Sequence, residues 1–255
     1  MAAALRDGLR FFVSDNKVVL SSGKFGFIAP IYFRRVWIDR VESLFVPRSV
    51  PLDYLLILDF EANCSKTGKM PCQEIIEFPV LAVNVRTKRV ESRFHTYVRP
   101  VVVPELSPFC TELTGIRQEM VSEAPELASV LGLFDAFMTE KQLKGKKIAF
   151  ATCGDWDLKT CLPAECAYKQ LPVPEYMKVW VNVKQLFPVK ADGMMEMLQT
   201  LKLQHQGRHH SGIDDAENIA NALIALLEAG LLLSPSDFHS VGLRPGQAPP
   251  GFELS

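Results

Sequence analysis

The segment from Tyr54 to Phe60, with the sequence YLLILDF, constrains the fold more than any other part of the chain. Its apolar residues run on without alternating polar ones, which is the pattern of a strand covered on both faces. Strands of this kind lie in the middle of a sheet that has helices packed on each side. We therefore expect an α/β protein with this strand near the centre of its sheet.

Further strand and helix patterns follow in an order that favours a mixed sheet. The residue patterns predict strands at 54–60, 74–85, 90–98, 147–152 and 179–183, and helices at 109–115, 125–140, 155–168, 194–203 and 213–227. Pro79 interrupts the second strand, so a bulge or an edge position is expected there. Strands that come first and then alternate with helices predict a mixed central sheet flanked by helices.

The length of 255 residues suits one domain of about 180 residues with additional segments. We expect an N-terminal extension at 1–50, a main domain at 51–233 and a flexible tail at 234–255, which contains proline and glycine. The extension is expected to be poorly ordered or accessory. An organellar presequence is the alternative, and the acidic Asp7 and Asp15 weaken it.

Charge and hydropathy exclude two classes of protein. The net charge of −1 excludes a uniformly basic nucleic-acid binder, so such binding would need a local basic patch or metal ions. No apolar run reaches the roughly 18 residues of a membrane span. The six cysteines contain no C-x-x-C pair and are expected to be reduced thiols of an intracellular protein, either cytoplasmic or nuclear.

Two carboxylates stand at the end of the central strand. Asp59 and Glu61 are two residues apart and therefore share one face of that strand. Carboxylates this close repel each other and lose hydration in a partly buried site. A divalent cation would relieve both costs, since carboxylate oxygens suit Mg²⁺ or Mn²⁺. The alternative is that both side chains simply leave the core at a strand end.

Two further pairs of aspartates stand at the start of predicted helices. Asp155 and Asp157 flank Trp156, and Asp214 and Asp215 open the last helix. Aspartate is favoured as a helix N-cap, and capping is the alternative explanation for both pairs. In the first pair, one aspartate could be the cap while the other is left for a different role.

A histidine-rich loop precedes Asp215. His210 stands five residues ahead of it, and a histidine beside a metal ion could accept a proton from water near neutral pH. His205, His209 and His210 could instead form a zinc site. Gly207 argues against zinc because it disturbs helical i, i+4 spacing, and no cysteine lies close in the sequence.

These residues resemble the DEDD exonucleases of the histidine subtype in order and character. The segments DFEANC, QEIIEFPV, PFCTELTGI, CGDWDL and HSGIDDAENIA are similar to the ERI-type exoribonucleases, and most of all to the branch described as prion-protein-interacting. The resemblance covers roughly residues 54–230 and rests on several motifs in the same order. Relatives usually read DFEATC where this chain has Asn63, and His209 stands where a proline is common.

The resemblance implies a ribonuclease-H-like fold and a metal-dependent 3′→5′ exoribonuclease that occupies residues 51–233. The implied product is a nucleoside 5′-monophosphate, released from RNA 3′ ends by a two-metal-ion mechanism. Two Mg²⁺ ions, for which Mn²⁺ can substitute, would be held by four carboxylates: Asp59, Glu61, Asp157 and Asp215. The implied catalytic residues are Glu61 and His210, with His210 as general base and His209 as a second candidate. Asp155 and Asp214 would be supporting or capping residues.

The implied partner is a single-stranded or overhanging RNA 3′ end, with no role for a membrane, and the sequence identifies no protein partner. The residues expected to contact RNA are Ala62, Leu113, Thr114, Trp156 and His210. Trp156 would stack on the terminal base, and core packing is its alternative. Two other functions stay open: a catalytically weak RNA-binding or scaffold protein on the same fold, and a DNA-directed exonuclease, which cleaves the same kind of bond.

Overall fold

The computed structural model describes residues 49–187 and 191–241, together with the backbone of three short strands nearer the N-terminus. These strands form an antiparallel sheet of their own in the order β1-β2-β3: β1 (Arg10–Ser14), β2 (Lys17–Ser22) and β3 (Phe25–Ile28). No strand is predicted from the sequence in this expected extension. Most of its other residues lie outside the described part of the chain, and the division into extension, main domain and tail stays a prediction.

A second sheet carries the main domain and is mixed, as predicted. Its strands are β4 (Tyr54–Leu58), β5 (Glu61–Ala62), β6 (Ile75–Asn84), β7 (Arg89–Tyr97), β8 (Ile148–Thr152), β9 (Val179–Asn182) and β10 (Phe238–Ser240). The strand order is β10-β9-β8-β4-β6, with β5 and β7 paired to opposite edges of β6. β4 is parallel to β8 and antiparallel to β6, which gives this strand the predicted central position.

Helices cover both faces of this sheet. They are α1 (Pro108–Thr114), α2 (Gln118–Ser122), α3 (Leu127–Glu140), α4 (Leu162–Tyr168), α5 (Met194–Leu201) and α6 (Gly212–Glu228). The five predicted helices are confirmed, whereas α2 is not predicted from the sequence. Among the described residues, no helix combines the length and the apolar character needed to cross a membrane.

The core is divided between the two faces of the sheet, and β4 contributes to both. Leu55 and Ile57 point to the face covered by α5 and α6, and Leu56 and Leu58 point to the face covered by α3 and α4. All four side chains are fully buried. Burying one such side chain contributes about 1.5–3 kcal/mol, so the apolar run that predicts a central strand also anchors it between two helical layers.

The ladder between β4 and β6 is interrupted opposite Pro79. Leu58 pairs with Val80, and pairing resumes only where Glu61 faces Glu77. Pro79 has no backbone N–H to donate, so it cannot complete the ladder at this point. Pro79 itself is neither at a bulge nor on an edge strand, because it pairs with His95 of β7, so the sequence prediction is wrong in kind, and the irregularity is a gap in the pairing with β4. It separates β5 from β4 and leaves Asp59 and Phe60 outside the regular pairing.

The sheet continues further along the chain than the sequence predicts. Instead of a flexible tail from Ser234, Pro235–Asp237 form a 3-10 turn and Phe238–Ser240 pair with β9 as the edge strand β10. The Asp237 carboxylate accepts 2.8 Å hydrogen bonds from both the backbone N–H and the hydroxyl of Ser234. Residues 234–241 thus have regular structure that the sequence does not predict, because β9 offers an edge to pair with. Residues 242–255 lie outside the described part of the chain.

Candidate active site

The interruption of the sheet creates the first part of the site. Because Phe60 is outside the ladder, its backbone N–H is free to donate to Asp157 Oδ1 at 2.9 Å. Asp157 begins a π-helical turn, Asp157–Cys161, that leads into α4. Pro163 near the start of α4 explains this turn, since its ring blocks the regular bond to the carbonyl four residues earlier. The break in β4 and the widened helix together hold Asp157 beside Asp59.

The N-terminus of α6 packs directly against the same interruption. The buried Glu77 side chain accepts hydrogen bonds from the backbone N–H groups of Gly212 at 2.9 Å and Ile213 at 3.2 Å. His95 Nε2 lies 2.8 Å from the same carboxylate. Glu77 therefore caps α6 from a neighbouring strand, which satisfies helix donors that have no partner within the helix. This cap fixes the position of Asp215, one turn into the helix.

Three of the four carboxylates that the resemblance implies as metal ligands meet at this point, and the fourth is held beside them. Oxygen atoms of Asp59, Glu61 and Asp215 lie within 4.8 Å of one another, and Asp157 adjoins them through its bond to Phe60. Glu61, Asp157 and Asp215 are buried.

Burial and mutual repulsion keep these groups from ionising together. Burial, and next the charge of Asp157, raise the pKa of Asp59 well above its usual range. Burial and the charge of Glu77 raise the pKa of Glu61 to about 9. Burial raises the pKa of Asp157 to about 6 and that of Asp215 above its ordinary value. A nearby cation would reverse these shifts, because it favours the charged form of each carboxylate.

One oxygen of the cluster has no partner within the described residues. Asp215 is 4% exposed, and its Oδ2 accepts the backbone N–H of His210 at 2.8 Å, whereas Oδ1 accepts no hydrogen bond. Leaving a buried acceptor unpaired costs about 1–3 kcal/mol. Carboxylate oxygens that are buried, mutually repelling and partly unpartnered are a donor set that fits a hard divalent cation.

His210 stands beside the carboxylates in an uncommon backbone conformation. Its φ is 64°, and its backbone bond to Asp215 ties the loop to the cluster. The imidazole stacks on that of His209, with ring centroids 4.0 Å apart and an interplanar angle of 17°. Burial and the neighbouring His209 lower the pKa of His210. A neutral imidazole at this place is able to accept a proton.

Two residues support the loop that carries His210. Asp214, predicted to be a supporting residue, accepts the backbone N–H of Arg208 at 2.8 Å. The Arg208 guanidinium crosses to α1 and donates to the carbonyl oxygens of Glu112 at 2.6 Å and Leu113 at 3.3 Å. Sequence reasoning misses Arg208, because a single exposed arginine in a polar loop carries no distinguishing signal. It connects the histidine loop with the segment predicted to contact substrate.

Gly115 leaves space for this connection between the histidine loop and α1. Its φ is 79°, and a Cβ atom there would lie 2.8 Å from Arg208 Cζ. Glycine thus ends α1 in a conformation that side chains disfavour and also leaves room for the guanidinium.

The residues predicted to bind substrate fall into different environments. Trp156 is 41% exposed, so the alternative of core packing is wrong for this side chain. Ala62 is buried in β5, and Leu113 is partly buried at the end of α1. Thr114 is buried, and its hydroxyl donates to the carbonyl of Cys110 at 2.9 Å and accepts from the N–H of Ile116 at 3.1 Å. That hydroxyl is therefore engaged within the protein.

Asp155, predicted to support the site, anchors the loop before Asp157. Its Oδ1 accepts hydrogen bonds from Trp180 Nε1 at 3.0 Å and from Asn182 Nδ2 at 3.2 Å, both on β9. Glu74 is also structural, because it accepts three backbone N–H groups from Val101 to Val103 and pairs with Lys169 at 2.8 Å. Neither carboxylate belongs to the cluster.

A mixed sheet flanked by helices, with four carboxylates and a histidine at a break in its central strand, defines the class of the DEDDh exonucleases. The model of the RNase T exonuclease family matches residues 56–223, and the chain belongs to this family. The family membership and the ribonuclease-H-like fold predicted from the motifs are confirmed.

The chain is also similar to individual proteins of this family. It is 50% identical over 186 residues to ERI1 exoribonuclease 3 of Homo sapiens, across 70% of this chain and 55% of that protein. The chain thus spans about half the length of the curated relatives that it matches. It superposes with TM-score 0.68 and 35% identity on the nuclease domain of 3′hExo, described as a DEDDh family member bound to rAMP, and covers 95% of it. That match includes 71% of this chain.

A further solved structure is described as showing 3′-end specific recognition of a histone mRNA stem-loop by a 3′-exonuclease. It matches with TM-score 0.70 and 32% identity, across 80% of this chain and 97% of the solved one.

Proposed function

We propose that this protein is a 3′→5′ exoribonuclease that releases nucleoside 5′-monophosphates from RNA 3′ ends. The observation that carries the proposal is the buried carboxylate cluster, in which Asp215 offers one oxygen to His210 and leaves the other unpartnered. Carboxylates whose pKa values are raised by burial and repulsion need a cation to ionise, and phosphodiester hydrolysis needs cations at the same place.

The metal ligands are Asp59, Glu61, Asp157 and Asp215, and the ions they would hold are two Mg²⁺, for which Mn²⁺ can substitute. When bound, these ions stabilise the negative charge that develops on the scissile phosphate. Phe60 orients Asp157 through its backbone N–H, and the His210 backbone orients Asp215. Both ligands are therefore fixed before any substrate arrives, and such preorganisation lowers the reorganisation needed during the reaction.

His210 acts as the general base. Its neutral imidazole accepts a proton from the attacking water, whose oxygen forms the new bond to phosphorus. The bond from phosphorus to the 3′ oxygen breaks, and that oxygen takes a proton from solvent water to become the new 3′ hydroxyl of the shortened RNA. The lowered pKa of His210 keeps the imidazole ready to accept a proton near neutral pH. His209 stacks on His210 and limits its rotation.

The substrate-side residues that we propose are Trp156, Leu113, Thr114 and Ala62. Trp156 adjoins Asp157 in the chain, and its exposed ring can stack on the terminal base. Leu113 and Thr114 at the end of α1 and Ala62 in β5 are the other residues that we assign to substrate binding. RNA as the substrate is supported by the relative named ERI1 exoribonuclease 3 and by the relative described with a histone mRNA stem-loop.

The test is a time course on 5′-labelled single-stranded RNA with Mg²⁺, compared with DNA of the same sequence. We expect a ladder that shortens from the 3′ end, is lost with EDTA, and slows by about 100-fold or more in Glu61→Gln and His210→Asn. Glu123→Gln, an exposed glutamate after α2, is the matched control and should act as wild type.

Each alternative predicts a different result. Folded protein that binds RNA without shortening it in Mg²⁺ or Mn²⁺ would establish the inactive scaffold. Faster degradation of the DNA strand would establish a DNA-directed exonuclease. Undiminished hydrolysis by Glu61→Gln would place the chemistry outside the carboxylate cluster.

A further inference from the structure

Nitrogen donors gather on one side of the carboxylate cluster. Nitrogen atoms of His209 and His210 and an oxygen of Asp215 lie within 4.8 Å of one another. His205 approaches the same place, because its Nε2 is 3.7 Å from Asp215 Oδ1 and its ring centroid is 6.0 Å from that of His209. Three of the protein's five histidines therefore surround one buried carboxylate.

The central pair of atoms in this group has no hydrogen-bond partner within the described residues. His205 Nε2 and Asp215 Oδ1 are both buried, and their separation of 3.7 Å is too long for a hydrogen bond between them. Zinc bonds to histidine nitrogen and carboxylate oxygen are about 2.0–2.2 Å, so ligands of one tetrahedral ion lie roughly 3.3–3.6 Å apart. The observed separation is close to the one that a shared ion would produce.

The composition of the group selects a class of cation. Mg²⁺ prefers oxygen ligands in octahedral geometry, whereas imidazole nitrogen suits Zn²⁺ and neighbouring transition ions. The side chain of His209 is exposed, and its ring nitrogen already lies within 4.8 Å of the His210 and Asp215 donor atoms. The Arg208 guanidinium does not occupy the position, since it donates to carbonyl oxygens of α1.

Gly207 does not keep the histidines apart in the structure. Gly207 would disturb a zinc site built on helical i, i+4 spacing, but these histidines come from a turn ahead of α6. Gly207 has φ 73° and His210 has φ 64°, and the loop between them returns the chain toward Asp215. A turn brings the donors together without any helical spacing.

We propose that His205, His209, His210 and Asp215 form a second metal site, specific for Zn²⁺ and similar transition ions, beside the oxygen-only cluster. An ion there would engage the His210 imidazole and share Asp215, so it would inhibit the hydrolysis that Mg²⁺ supports. The inhibition rests on the proposed function, whereas the binding of zinc does not.

The binding test uses untagged protein and metal alone, without nucleic acid. Calorimetry with Zn²⁺ and visible spectroscopy with Co²⁺ should show one tight site with the intense absorption of four-coordinate Co²⁺. His209→Asn and His205→Asn should each weaken Zn²⁺ binding by at least about tenfold. His239→Asn is the matched control, because this histidine contacts Gln185 and Asp155 instead and should leave binding unchanged.

Asp59→Asn separates the two sites and keeps this test independent of the nuclease assay. This variant should lose Mg²⁺-dependent hydrolysis and still bind Zn²⁺ with nearly wild-type affinity. The proposal is overturned if His209→Asn binds Zn²⁺ as tightly as wild type. It is also overturned if Asp59→Asn abolishes Zn²⁺ binding, since the ion would then occupy the oxygen cluster. Circular dichroism of each variant confirms that the comparison is made between folded proteins.

Discussion

Replacing Gly212 by alanine should disturb both the stability and the activity of the protein. A Cβ atom at this first residue of α6 would lie 2.7 Å from the Asp59 carbonyl oxygen, 3.1 Å from Glu77 Oε2 and 3.2 Å from Pro79 Cγ. The carbonyl belongs to the backbone and the proline ring is rigid, so neither can move aside by changing rotamer. Overpacking of this kind costs about 1–3 kcal/mol.

The activity should fall by more than the stability loss explains. The helix can relieve the contact only by moving away from the sheet, and Asp215 lies three residues further along it. A displacement of about 1 Å in a group that positions the reaction can lower the rate by roughly 100-fold. We therefore expect folded Gly212→Ala protein to hydrolyse RNA about 100 times more slowly than wild type.

Urea unfolding and steady-state hydrolysis measure these two effects separately. Gly132→Ala is the matched control, because Gly132 is exposed within α3 and a Cβ atom there meets nothing within 4 Å. That change should stabilise the protein by about 0.5–1 kcal/mol through helix propensity and leave hydrolysis unchanged. Gly212→Ala protein with wild-type stability and rate would refute the close packing of α6. Lower stability with an unchanged rate would refute its link to Asp215.

Three further predictions concern pH, the histidine loop and the core. The folded, metal-free protein keeps a proton on Glu61 up to a pKa of about 9, whereas the unfolded chain loses it near 4.5. The contribution of Glu61 to stability should therefore be greatest below pH 4.5 and fall as the pH rises to 9. Mg²⁺ should flatten that slope in thermal unfolding, and a pH-independent melting temperature in EDTA would contradict this. Arg208→Ala frees the loop from the Glu112 carbonyl and should lower kcat about tenfold with KM nearly unchanged. Arg208→Lys should recover part of the loss in the same rate assay, and equal rates for both variants would argue against the contact. Asn63→Thr removes a buried Nδ2 that has no hydrogen-bond partner in the described part of the chain and should raise the free energy of unfolding by about 1 kcal/mol in urea. A decrease would show that the bond from Asn63 Oδ1 to the Glu74 N–H matters more.

Periodicity and composition predict the parts of the fold that apolar burial determines. The continuous apolar run at β4 and the spaced apolar residues of α3 and α6 identify these elements, because each buries a face of its own. Pro79 also indicates an irregularity in the sheet, because proline has no N–H to donate to a neighbouring strand. Four carboxylates and His210 are recognised because their order along the chain is that of a known family.

The contacts between distant segments are what the sequence does not reveal. The cap that Glu77 places on α6 joins residues 135 positions apart, and the bond from Arg208 to Glu112 joins residues 96 apart. Neither side chain differs locally from an ordinary polar residue. β10 is missed for the same reason, because three residues become a strand only when β9 provides an edge.

The carboxylate cluster and the elements around it have opposite effects on the fold. Repulsion and desolvation among Asp59, Glu61 and Asp215 oppose folding of the metal-free protein, and the unpaired oxygen of Asp215 adds to that cost. The cap from Glu77 and the close approach of Gly212 hold the helix in place against this repulsion. A divalent cation bound by the cluster would replace the net repulsion among its carboxylates by attraction to the ion, while the surrounding contacts stay the same. Stability and hydrolysis should consequently rise together as the cation is added, because both depend on ionisation of the same buried groups.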